Sequence, residues 1–171
     1  DVYKRQIYDD VLDITWHPLD SRQLPWIEAS FWASDLVVAG ASDWRLPYIS
    51  VAQAGGPFVG PPVDCANATE EECRDNELGY MFYHNLGGTE GEFILDSGHP
   101  NLALFPSLQN DIYWSGTEYD SSFAWNFGFM DGFANAFDND TPYLVWAVHE
   151  GNIIPVPTAK ESWGTIKASY R

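Results

Sequence analysis

Ser42-Asp43-Trp44-Arg45-Leu46-Pro47 and, about seventy residues later, Tyr113-Trp114-Ser115-Gly116-Thr117 are the two strings that decide this chain's fold. Read physically, the first is a corner. Trp44 and Leu46 point inward, Arg45 pairs with Asp43 or a carboxylate from the first strand, and Pro47 stops the extended run. The second reads as the end of a strand, with the Trp114 indole buried and the Ser115 hydroxyl returning to backbone. Both strings, with Trp125, are assigned to the scaffold.

Outward from these strings, the chain divides into an early helical part and a late β part. Ile7 to Trp16 alternates and reads as one strand. Pro25 opens a helix expected over Pro25 to Val38, with Trp26, Ile27, Ala29, Ala33 and Val37 at helical spacing and Gly40 closing it. Asp75 or Asn76 caps a second helix, whose stripe is Leu78, Met81, Phe82 and Leu86 and whose end is Gly87-Gly88. Asp131-Gly132 marks a two-residue hairpin turn between Trp125–Met130 and Phe133–Phe137. That register puts Trp125, Phe127, Phe129, Ala134 and Ala136 on one face, with Asn126, Gly128 and Asn135 on the other. Tyr143 to Val148 is a last strand. The order predicts an α+β domain.

The bulk numbers bound the function. A chain of 171 residues with 45% hydrophobic and 16% aromatic content has material for one packed domain with an aromatic core. The formal charge is −17. Lys160, Lys167 and Arg171 sit in the last stretch with Glu161 as its only acid; setting these four aside leaves 5 of the 8 basic and 24 of the 25 acidic residues, a balance of −19. Such a body repels nucleic acid and anionic membranes and suits neutral sugars or cationic partners. No apolar run is long enough to span a membrane. Cys65 and Cys73, alone in one polar loop, are expected to form a disulfide, which places the chain in an oxidising compartment. Residues 1–6 read as a non-native or truncated start, 7–152 as a single domain, and 153–171 as an appended basic tail, with the export signal lying upstream.

Five blocks resemble the Lcl C-terminal domain family, exported bacterial domains of the C-type lectin-like superfamily. They are Tyr8-Asp9-Asp10-Val11-Leu12-Asp13-Ile14-Thr15-Trp16; the first helix with Asp43-Trp44-Arg45-Leu46-Pro47; Glu77-Leu78-Gly79-Tyr80-Met81-Phe82-Tyr83; Tyr113 to Tyr119; and Ala124-Trp125 with the hairpin and Trp146-Ala147-Val148. The resemblance implies a C-type lectin-like fold, two helices packed on an antiparallel sheet with long loops on one side. It implies little about activity, since most members have no assigned reaction and the best-described relatives look like adhesins that hold glycans.

Function must then be argued from residues. Calcium is a candidate cofactor through Asp138-Asn139-Asp140 and Thr141, although that string also describes an ordinary polar turn. An oxidase resembling the formylglycine-generating enzymes would need cysteines near the C-terminal end, and Ala147 stands where many relatives carry Cys. His17, His84, His99 and His149 are scattered and neighbour no nucleophile. What remains is recognition by aromatic and acidic loops: Glu118, Tyr119, Asp120, Asp138, Asn139, Asp140 and Tyr143 are the expected ligand-binding residues. The leading expectation is a secreted or cell-surface, non-catalytic module that binds a glycan or an extracellular protein. The rival is a structural or interaction module of a larger surface assembly, with the basic tail as its docking element.

Overall fold

The computed structural model describes residues 6–53 and 59–154. The expected docking tail from residue 155 onward and the start at 1–5 lie outside the described residues. In chain order the elements are β1 (Ile7–Asp9), β2 (Ile14–Trp16), β3 (Gln23–Leu24), α1 (Trp26–Ser34), β4 (Val51–Gln53), β5 (Val59–Pro62), α2 (Glu70–Cys73) and α3 (Glu77–Tyr80). A π-helical turn, Met81–Asn85, continues α3, and short 3-10 turns follow at Ile94–Asp96 and Pro100–Leu104. The last third is β6 (Ile112–Glu118), β7 (Phe123–Gly128), β8 (Ala134–Asp138), β9 (Tyr143–Leu144) and β10 (Val148–Glu150). The chain is α+β.

A five-stranded sheet in the order β3-β9-β6-β7-β8 forms the centre, and a three-stranded sheet, β1-β2-β10, stands beside it. β4 and β5 make a separate ribbon. The expected single antiparallel sheet is therefore replaced by two main sheets, and β6 meets β9 in parallel. Alternation along each central strand feeds two cores. Tyr113, Trp125, Phe127, Leu144 and Trp146 pack with Leu78, Met81, Phe82 and Leu86 of the α3 segment. Trp114, Ala124, Val145 and Ala147 pack with Ala29 and Ala33 of α1 on the opposite side. Trp16, Trp44, Trp114 and Trp146 are all fully buried. Each removes about 200 Å² from water, roughly 5 kcal/mol of transfer free energy.

Several boundaries differ from expectation, each for a local reason. The single strand over Ile7 to Trp16 is a hairpin instead: the Asp9 carboxylate accepts the Val11 and Leu12 N–H groups at 3.1 and 3.0 Å, and Asp13 has φ 53°. This Asx turn reverses the chain. α1 stops at Ser34, where Leu36 N–H reaches only three residues back to Ala33 O at 3.1 Å; beyond it Val38 and Ala41 exchange hydrogen bonds around Ala39 and Gly40, whose φ values are 58° and 84°. Two successive left-handed residues cannot continue a helix. Within α1, Ala29 and Ala33 face the sheet while Ile27, like Val37 beyond the helix, is exposed. Asn76 is the cap of the second helix, its Oδ1 accepting the Gly79 N–H at 2.8 Å. The β7–β8 connection is longer than two residues, closing through Gly128 N–H to Phe133 O at 2.9 Å. The strand over Tyr143 to Val148 splits, since Leu144 pairs with Gln23 of one sheet and Val148 with Trp16 of the other.

The two opening strings meet in space. Gly116 N–H donates to Pro47 O at 2.8 Å, and Ile49 N–H to Thr117 Oγ1 at 3.0 Å. A Cβ on Gly116 would sit 3.2 Å from Leu46 O, so the glycine admits the close approach. The Trp114 indole donates to Leu24 O at 3.0 Å and Ser115 Oγ to Trp125 O at 2.7 Å. Arg45 pairs with Glu77 and Glu150, which corrects the expected partners, Asp43 or the first strand.

Candidate functional site

β6 ends at Glu118 and the chain turns back into β7 through a loop held by one side chain. Asp120 Oδ1 accepts the N–H groups of Ser122 and Phe123 at 2.8 and 2.9 Å. The turn sets Tyr119 edge-on to Trp125, with ring centroids 5.4 Å apart and planes at 80°. Across the β7–β8 ladder Trp125 lies opposite Ala136, and Phe127 opposite Ala134. The two alanines leave the surface low, and the result is an open depression of about 460 Å³. Its walls are Tyr119, Phe123 and Trp125, its floor Ala134 and Ala136 with the Asn135 main chain between them, and its polar rim Asp120.

Tyr119 and Phe123 are 37% and 39% exposed, whereas Trp125 is 8% exposed. The indole N–H of Trp125 is buried and has no acceptor among the described residues. An exposed phenol ring edge against a largely buried indole makes a rigid aromatic wall, and the Asp120 carboxylate beside it can accept hydrogen bonds. The arrangement can hold a flat, partly apolar, hydroxyl-bearing ligand.

The seven expected ligand-binding residues do not form one surface. Tyr119 and Asp120 line the depression. Glu118 is in register with Ala124, on the α1 side of the sheet. Tyr143 is also on that side, against Trp114 at 5.0 Å and Phe137 at 5.6 Å. Its burial, and then the Asp111 charge, push the phenol above its ordinary pKa. Asn139 is tied by its backbone, donating to Ser122 O and accepting from Trp26 N–H, both at 2.9 Å. Asp138 Oδ1 accepts the Asp140 N–H at 2.9 Å, so this carboxylate closes its own turn. Among the described residues no group of three or more His, Cys, Asp or Glu side chains is placed to hold a metal ion.

Phe123, Asn135 and the two alanines were missed as site residues. The hairpin register already put Ala134 and Ala136 beside Trp125; small residues beside an aromatic one were the available signal. The histidines are less scattered than expected, since His17 and His149 both pack against Trp44 with ring centroids at 5.4 Å. A smaller cleft of about 200 Å³ lies along β1, lined by Asp9, Trp16, Asn85 and Phe105 among others. There Asp9 is consumed by the hairpin turn and by the Asn85 amide at 2.6 Å. Cys65 and Cys73 are joined as a disulfide, so neither offers a thiol. No protein-family model and no curated protein matches the chain.

Proposed function

We propose that this chain is a non-catalytic, secreted or surface-held module of the C-type lectin-like class, of the Lcl C-terminal type, that recognises a neutral glycan. The observation that carries the reading is the Tyr119–Trp125 pair over a floor of two alanines, with Asp120 at its rim. Aromatic walls stack on the apolar face of a pyranose ring, and the Asp120 carboxylate at the rim bonds its hydroxyls. The charge of −17 turns anionic polymers away and leaves neutral ligands unaffected. The disulfide fits an oxidising compartment. In the described part of the chain there is no helix long and apolar enough to cross a membrane.

A shallow, open site of this size binds single sugars weakly, so useful retention comes from several copies acting together. The test is a glycan array with the intact chain, run with and without EDTA, beside Tyr119→Ala. Neutral glycans retained by the native chain and lost by the variant support the proposal. No glycan retained in either buffer rejects it.

A further inference from the structure

β8 is one edge of the central sheet, and its outward main chain has no strand beside it among the described residues. Gly128 N–H bonds Phe133 O and Asn139 N–H bonds Ser122 O, at the two ends of an unbroken β7–β8 register. Hydrogen-bonded pairs alternate with non-bonded pairs in an antiparallel ladder. Asn135 and Phe137 therefore point their main-chain groups at β7, while Ala134, Ala136 and Asp138 point theirs outward. Asp138 O is used by Thr141 N–H; the N–H and C=O groups of Ala134 and Ala136 have no partner among the described residues.

Exposed edges are ordinarily blunted by lysine, proline, a bulge or extreme shortness. β3, the other edge of this sheet, has only two residues. β8 runs for five, Ala-Asn-Ala-Phe-Asp, in continuous register with no proline and no lysine. Its surroundings also select a charge. No Lys or Arg occurs between Arg74 and Lys160, and Asp120, Asp131, Asp138 and Asp140 flank the β7–β8 hairpin. The open main-chain groups belong to the same two alanines that floor the aromatic depression.

We propose that β8 is a docking edge for an extended, cationic peptide segment of a second protein, which adds a strand beyond Ala134–Asp138. Main-chain bonds to Ala134 and Ala136 hold it, a side chain of the added strand enters the depression beside Trp125, and its lysines or arginines face the aspartates. The strand and a sugar would exclude one another, but the edge does not depend on the glycan reading, because its anchor is backbone. A second copy of this chain is disfavoured as occupant by the like charge of −17.

The probe is a synthetic peptide of alternating lysine, valine and threonine, titrated into the intact chain. Binding is expected, with amide exchange slowed at least tenfold at Ala134 and Ala136. A peptide with glutamate in place of lysine is expected not to bind. Ala136→Pro removes an outward N–H without breaking the bonds to β7, and edge strands tolerate proline there; it is expected to weaken the peptide at least tenfold. Should that variant misfold, N-methylation of alternate peptide amides on the native chain decides, one register abolishing binding and the other sparing it. Absence of binding, equal binding by the glutamate peptide, or indifference to both the proline and the methyl groups overturns the proposal. Binding that emerges only after removal of residues 155–171 assigns the edge to the chain's own basic segment and overturns it too. So does a concentration-dependent dimer that Ala136→Pro abolishes.

Discussion

Arg45 and Glu77 face each other through two parallel hydrogen bonds, Nη1 to Oε2 and Nη2 to Oε1, both 2.8 Å. The side chains are only 18% and 12% exposed, and Glu77 Oε2 also accepts the Tyr48 N–H at 2.7 Å. Glu150 completes the cluster from β10, and the Arg45 guanidinium lies 4.0 Å from the centre of the Tyr48 ring. Burial works against the Arg45 charge, but the two carboxylates outweigh it and hold the guanidinium above its ordinary pKa. One side chain thus ties the corner to α3 and to the second sheet.

Arg45→Ala strands a partly buried carboxylate, and the expected cost is about 3 kcal/mol. Glu150 is 69% exposed in its side chain, so Glu150→Gln is expected to cost less than about 1 kcal/mol. Urea unfolding of both variants checks the contrast; similar losses would show that Arg45 does not depend on Glu77.

Cys65 and Cys73 close a loop over a sequence separation of 8, beside a Thr69–Glu72 capping box. Removing the bridge with Cys65→Ala/Cys73→Ala is expected to cost about 2.5 kcal/mol, chiefly by freeing the unfolded chain. Chemical denaturation of the double variant, against the native chain with and without dithiothreitol, gives the number.

Gly132 has φ 79°, and a Cβ there would fall 2.5 Å from Tyr83 Oη and 2.9 Å from the Phe82 ring. Gly132→Ala is therefore expected to destabilise by about 2 kcal/mol, combining a left-handed alanine with overpacking. Its thermal midpoint should fall by several degrees; an unchanged midpoint would mean the turn relaxes freely.

Burial lowers the pKa of His17 below its ordinary 6.5, against the opposing pull of its contact with Pro18 O. The folded chain keeps this ring neutral where the unfolded chain takes up a proton. The contribution to stability is thus whole above pH 6.5, shrinks as pH falls through that value, and levels off only below the folded-state pKa. His17→Phe, which keeps an aromatic ring against Trp32 and Trp44, should flatten the pH slope of unfolding free energy between pH 7.5 and 5. An identical slope in both proteins would acquit His17.

Tyr119 contributes an exposed ring to Trp125 and no side-chain hydrogen bond among the described residues. Tyr119→Ala is expected to leave stability within about 1 kcal/mol and to reduce retention on a neutral-glycan surface at least tenfold. Equal retention by the two proteins would move the sugar away from this depression.

Much of the frame was legible because it rests on short-range rules. The inward Trp44 and Leu46, the Asn76 cap, and the face shared by Trp125, Phe127, Ala134 and Ala136 follow from side-chain periodicity and capping chemistry. Turn chemistry inside an alternating run was overlooked at Asp9, where one carboxylate outweighs the strand pattern of ten residues. The candidate site was half legible. Tyr119 and Asp120 were named, but Glu118 and Tyr143 fell on the opposite side of the sheet: Glu118 shares the face of Trp114 and pairs with Ala124, and Tyr143 packs against Trp114. Alternation along β6 from Trp114 already gave the face of Glu118, whereas the face of Tyr143 depended on how β9 pairs with β3 and β6.

The amino-acid order by itself set the α+β character, the aromatic core, the acid charge and the disulfide, since each depends on composition or on neighbours a few positions apart. Only the folded chain decided which carboxylates Arg45 would hold, that Tyr143 would turn into the core, and that Ala134 and Ala136 would lie on an open edge beneath Tyr119. Those outcomes turn on contacts between distant segments, where strand register and sheet order, not local preference, fix what meets what.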